Sequence, residues 1–76
     1  MTEMLRSLEA LLFVSDEPVT SVVLAQALDL DRSHVDRLCE ELSGEYEARG
    51  AGLVVQNVAG GWRLAPDTAR AEPRRT

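Results

Sequence analysis

Apolar residues recur at three- and four-residue intervals along most of the chain and then switch towards alternation, which divides it into helices followed by strands. Leu5, Leu8, Leu11 and Leu12, with Met4 on the same stripe, predict a first helix over residues 2–15. Glu3 lies in its first turn, where a carboxylate suits the positive end of the helix dipole. Asp16-Glu17-Pro18 stops it, because Pro18 has no N–H to donate and disfavours helical backbone at Glu17. Val19 reads as a short extended residue, and Thr20 as the N-cap of a second helix over 21–28 with Val23, Leu24, Ala27 and Leu28 apolar. Asp29-Leu30 makes a tight turn with Leu30 as an apolar plug. Asp31 caps a third helix running to Ala48, with Val35, Leu38, Leu42 and Tyr46 on one face, Cys39 alongside, and Gly50 and Gly52 ending it.

From residue 53 the pattern is that of strands. Leu53–Val58 is rich in β-branched residues, Ala59-Gly60-Gly61 turns, and Trp62–Ala65 returns, which predicts a β-hairpin. Trp62 and Leu64 share one face, with Arg63 on the other. The first strand alternates less cleanly, and a bulge near Asn57 is expected. Pro66–Thr76 has Pro66 and Pro73 with Arg70, Arg74 and Arg75, and reads as a flexible tail or the start of a linker. Three helices and a hairpin within residues 1–65 make an α+β winged helix, a helix-turn-helix core followed by a wing.

Winged helices usually lay the third helix in the DNA major groove. Here the segment Asp31–Arg49 carries Asp31, Asp36, Glu40, Glu41, Glu45 and Glu47 against Arg32, Arg37 and Arg49, six against three, a charge of −3. The whole chain is at −5, and the wing offers only Arg63. Phosphate contact dominates DNA affinity, so direct nucleic-acid binding is not expected, and protein contact is the function left for the fold. The alternative is a DNA-binding transcriptional regulator whose basic surface lies elsewhere, such as the arginines of the tail. A structural domain of a larger enzyme is a third possibility.

The first helix carries the strongest sign of such contact. Phe13 projects from the edge opposite the leucine stripe, and Ala10 and Val14 widen the apolar surface. A helix this apolar near its end is buried on two sides. Either the chain's own wing covers Phe13, or a second protein, such as another copy, does so.

Length and composition narrow the remaining classes. The 76 residues allow one small domain, and a single cysteine forms no internal disulfide. All eight basic residues are Arg, with no Lys or Ile in the chain, which fits a GC-rich genome better than any chemical need. The run Leu8–Val14 contains Glu9 and is far short of the roughly 20 residues of a membrane span, and no signal peptide precedes it, so a cytoplasmic location is expected. His34 is alone in the first turn of the third helix, and Cys39 neighbours Val35 and Leu42 on an apolar face. Neither has a partner at metal-ligand spacing. Gly60-Gly61 precedes no helix and cradles no phosphate. Asp16-Glu17 and Glu40-Glu41 are adjacent pairs that point different ways. No enzyme is expected, and no catalytic, metal-ligating or cofactor-binding residue.

Leu8-Glu9-Ala10-Leu11-Leu12-Phe13-Val14-Ser15-Asp16-Glu17-Pro18-Val19-Thr20 resembles the opening of the bacterial segregation and condensation protein B family. The third helix, with Leu42, Glu45 and Tyr46 before the glycines, and the hairpin Val58-Ala59-Gly60-Gly61-Trp62-Arg63-Leu64 are similar to that family's, although Tyr is more usual at position 62. The resemblance covers residues 4–65. It implies a non-enzymatic, cytoplasmic accessory subunit of the bacterial condensin complex, acting in chromosome condensation and segregation. It also implies two winged-helix domains, a homodimer formed largely through the first, and binding to the kleisin ScpA, which links to the SMC ATPase. The chain ends where the second domain should begin, so it reads as a fragment, and much of the kleisin contact is expected on that missing domain. The candidate dimer or partner contacts are Leu5, Glu9, Leu12, Phe13 and Trp62.

Overall fold

The leucine stripe of the first helix, the apolar face of the third and the inner face of the hairpin converge on one core. A computed structural model describes residues 2–68 as α1 (Thr2–Val14), β1 (Val19–Thr20), α2 (Ser21–Leu28), α3 (Arg32–Ala48), β2 (Leu53–Val58) and β3 (Gly61–Pro66). Leu5, Leu8 and Leu12 of α1 meet Leu24 and Ala25 of α2 and Val35, Leu38, Cys39, Leu42 and Tyr46 of α3. Val55, Trp62 and Leu64 of the hairpin pack against them. This is the winged-helix arrangement expected of the pattern.

Local chemistry sets the boundaries. α1 stops one residue earlier than expected: the Ser15 N–H tightens the last turn by bonding to the Leu12 carbonyl at 3.3 Å, and its hydroxyl donates to the Leu11 carbonyl at 2.7 Å. Thr20 caps α2 as expected, accepting from the Val23 N–H at 3.2 Å. Of the apolar positions of α2, Val23 and Ala27 are exposed. At about 100° per residue, inward-facing Leu24, Ala25 and Leu28 leave those two on the outer side. Asp29 ends α2 in the left-handed region (φ 60), and the Leu30 N–H returns to the Ala25 carbonyl at 2.9 Å, which tucks Leu30 against the core. Asp31 occupies the N-cap of α3, but its carboxylate makes no capping bond. Its carbonyl instead accepts from the N–H groups of His34 and Val35, both at 3.1 Å. At the far end, Gly50 adopts φ 62, and the N–H groups of Gly50 and Ala51 bond to the carbonyls of Glu47 and Tyr46. This crossed pair is the usual glycine termination.

The wing is more regular than its sequence. β2 and β3 pair without interruption from Leu53↔Pro66 to Val58↔Gly61, so there is no bulge at Asn57. Asn57 sits opposite Trp62, on the same face as Val55 and Leu64 but nearer the turn. The loop is two residues, Ala59 (φ 50) and Gly60 (φ 81), a primed turn that matches the twist of the strands. Gly61, expected in the turn, opens β3. Pro66, expected as the first tail residue, closes it, and Asp67 still donates to the Gly52 carbonyl at 2.9 Å. The rest of the expected tail, residues 69–76, lies outside the described residues. β1 adds a third strand on the other side of β3, with Val19 opposite Trp62 and Thr20 opposite Gly61.

That third pairing depends on Gly61. A Cβ there would lie 2.9 Å from the Pro18 Cβ and 3.2 Å from the Pro18 carbonyl carbon, where only backbone movement relieves the clash. Gly61→Ala is expected to destabilise the domain by about 1–3 kcal/mol, the usual cost of overpacking, and a urea titration followed by Trp62 fluorescence measures it.

Candidate interaction surface

The face that winged helices turn to DNA is built here from α3 and the hairpin. Along α3 the exposed side chains include Arg32, Arg37, Glu40, Glu41 and Glu47, and Arg63 of β3 is half-buried. Carboxylates therefore lie where a phosphate backbone would have to approach.

The five candidate contact residues divide in two. Leu5 and Leu12, expected as partner contacts, are 8% and 2% exposed and belong to the core, which leaves them almost no surface to offer a partner. Their apolar stripe faces α2 and α3 within the same chain. Glu9 is half-buried and joins helices: it accepts from the Tyr46 hydroxyl at 2.6 Å and pairs with Arg6 at 2.9 Å. Arg6 also pairs with Glu45, and the Arg49 guanidinium lies 5.2 Å from the centre of the Tyr46 ring. Trp62 is half-buried against the core and serves the intramolecular structure. Its indole N–H reaches the Ser21 hydroxyl at 3.1 Å and the Asp36 carboxylate at 3.3 Å, and Ser21 donates to the same Asp36 oxygen at 2.6 Å. This small network ties the wing to both helices of the helix-turn-helix.

Phe13 is different. It is 77% exposed, so the wing does not cover it, and Val14 beside it is 72% exposed. Phe13, Ala10, Leu53 and Leu64 line a groove between α1 and the wing, together with the polar group Arg6, Glu9 and Tyr46. On the other side of α1, Val14, Ala10 and Leu11 border a second hollow with Ala27 and Leu28 of α2. The sequence reading named Ala10 and Val14 but not Leu53, Leu64 or Ala27. The signal for Leu53 was its place at the start of a strand on the face that returns beside α1.

Elsewhere the chemistry is quiet. Among the described residues, no three His, Cys, Asp or Glu side chains gather in a metal-holding arrangement. His34 is exposed. Cys39 is fully buried, and its thiol is pushed up to about 12 by desolvation, with Asp36 and Glu40 adding to the effect. A thiol so placed is neutral and shielded.

The family model of the segregation and condensation complex subunit ScpB matches residues 6–74. Segregation and condensation protein B of Desulforamulus reducens is 40% identical over 58 residues, covering 76% of this chain and 32% of that protein. The chain thus spans about a third of the length of the curated relatives it matches. Among solved structures, ScpB from Mycobacterium tuberculosis is similar with a TM-score of 0.85 at 33% identity, over 92% of this chain and 44% of that one. A dimer of an ScpB N-terminal domain complexed with an ScpA peptide is similar with a TM-score of 0.80 at 25% identity, over 88% of this chain and 78% of that one.

The contact between Tyr46 and Glu9 has a consequence for pH. Burial first, and the hydrogen bond to Glu9 second, raise the Tyr46 phenol from 10.0 to about 12. The folded state then holds a proton that the unfolded chain releases. This contribution is complete below pH 10 and is lost as pH rises from 10 towards 12. Cys39 acts in the same direction from pH 9 upwards. The urea midpoint is therefore expected to fall across this alkaline range. Tyr46→Phe should cost about 1 kcal/mol at neutral pH through the lost hydrogen bond and flatten the part of the decline above pH 10.

Proposed function

The chain belongs to the segregation and condensation complex subunit ScpB family, and from that premise we propose that it is a non-enzymatic accessory subunit of the bacterial SMC–kleisin complex, acting in chromosome condensation and segregation. It pairs with a second copy through α1 and the adjoining wing, with Phe13 near the middle of the contact and Glu9 at its polar end. It binds the kleisin ScpA, and through the kleisin it reaches the SMC ATPase. It works in the cytoplasm, associated with the nucleoid through the complex. No helix among the described residues is long and apolar enough to cross a membrane.

The observation that carries this reading is the exposed Phe13–Val14 edge of α1 on a domain whose α3 is acidic. An apolar edge of this kind serves a protein partner, and an acidic α3 repels phosphate. The similar domain seen as a dimer with an ScpA peptide supports both partners.

Light scattering over a concentration series is expected to show a species of twice 8.3 kDa. Phe13→Asp is expected to give a soluble monomer with unchanged helix content. A variant that unfolds would place Phe13 in the core and remove it from the contact. Titration of labelled duplex DNA is expected to show no specific binding at physiological salt. A tight complex with a steep salt dependence would favour the transcriptional-regulator alternative.

A further inference from the structure

The sheet order β1-β3-β2 leaves β2 at an edge, and among the described residues nothing pairs with its outer side. The two ends of the hairpin reveal which backbone groups are open. The two-residue turn closes on Val58↔Gly61, and Asp67 donates to Gly52 at the other end. Bonded and non-bonded pairs alternate in an antiparallel ladder, so Val54, Gln56 and Val58 bond to β3. Leu53, Val55 and Asn57 therefore point their N–H and C=O groups away from the sheet. Natural edge strands are guarded by charges, prolines, bulges or extreme shortness. β2 is six residues, Leu-Val-Val-Gln-Asn-Val, with no charge, no proline and an unbroken register.

The surroundings of this edge select what can add to it. Glu40, Ser43, Gly44 and Glu47 form one stripe of α3 and, with Val55, Asn57 and Trp62, line an open groove of about 420 Å³. Ser43 and Glu47 also border a hollow that continues towards Leu53 and Val54. Residues of an added strand that lie opposite Val55 and Asn57 would turn their side chains to the same face, towards α3. Glu40 and Glu47 are exposed there, and Gly44 leaves the helix backbone bare between them. Arg37, one turn earlier on α3, is the nearby cation of that helix.

We propose that the free edge of β2 is a strand-addition site for an extended segment of a partner protein with Arg or Lys at alternate positions. The segment's main chain bonds to Leu53, Val55 and Asn57, and its basic side chains face Glu40 and Glu47. A second copy fits less well. Two β2 strands paired edge to edge bring no cation of their own and crowd Glu40 and Glu47 of both copies. The site concerns a different element from the Phe13 edge and does not depend on the chain being a dimer.

The test uses the full chain and a synthetic peptide, acetyl-Thr-Arg-Val-Arg-Val-Arg-Thr-amide. Saturating peptide is expected to slow amide exchange of Leu53, Val55 and Asn57 at least about tenfold while leaving Val54 and Gln56 unchanged. The E40Q/E47Q double variant alters only exposed side chains, and in low salt it should weaken binding about tenfold or more by Trp62 fluorescence. The counterpart with Glu in place of Arg should not bind. Peptide binding without protection of the three amides would overturn the proposal, as would equal affinity in E40Q/E47Q. Protection that appears without peptide and grows with chain concentration would assign the edge to a second copy instead.

Discussion

Burial of the α1 leucine stripe against α3 is the constraint from which the rest of this structure follows. Leu5, Leu8 and Leu12 bury against Val35, Leu38, Leu42 and Tyr46 in the single core of the described residues, with Leu24 and Ala25 of α2 beside them. At about 100° per residue, that choice turns Phe13 and Val14 away from the core. The hydrogen bond from Tyr46 to Glu9 holds the same rotation from the polar side of the helix. The exposed aromatic edge is thus not a loose end of the fold. It is the geometric remainder of a core that a small domain can complete in one way.

Charge sets this domain apart from a winged helix that docks on DNA. The α3–wing face keeps the winged-helix shape, yet Glu40, Glu41 and Glu47 stand where cations would be needed to approach phosphate. At the same time Ser21, Asp36 and Trp62 fasten the wing to the helices. Asp36 in particular spends its carboxylate on the indole and the Ser21 hydroxyl, so the first half of α3 is occupied in holding the hairpin. The wing is consequently a fixed wall beside an acidic helix, a shape suited to gripping a polypeptide.

Much of this was legible in the sequence, and the failures have physical causes. Period and capping located all three helices, because Thr20, Pro18 and Gly50 each act within a residue or two of where they stand. The rotation of α2 was not legible, since Val23 and Ala27 are as apolar as the residues that bury, and the inward face of an eight-residue helix is decided by its neighbours. The supposed bulge at Asn57 came from a polar residue on an inward-facing register position. Asn57 is exposed there and borders an open groove beside α3, so its polar side chain keeps its water. Leu5 and Leu12 lie on the stripe that fills the core, so spacing alone does not separate a core leucine from a contact leucine, whereas Phe13, off the stripe, is exposed. Hydrogen bonds such as Tyr46 to Glu9, 37 residues apart, leave no trace in spacing at all.

The energetics of the Phe13 edge show what a symmetric contact can and cannot supply. In a two-fold interface every residue is used twice, so burying one Phe counts as two. At about 1.5–3 kcal/mol for each large apolar side chain removed from water, the Phe13 pair yields about 3–6 kcal/mol. A micromolar dimer needs roughly 8 kcal/mol after the cost of association has been met. Phe13 alone therefore falls short, and Val14, Ala10 and Leu53 must be covered as well. Leu53 also begins the open strand, so its side chain borders the α1 groove while its backbone belongs to the β2 edge. The two surfaces meet at this residue. A partner that orders the start of β2 would stiffen one wall of the α1 groove, and in the proposed dimer that is the wall beside Phe13, which would give the two proposed contacts a physical route to reinforce each other.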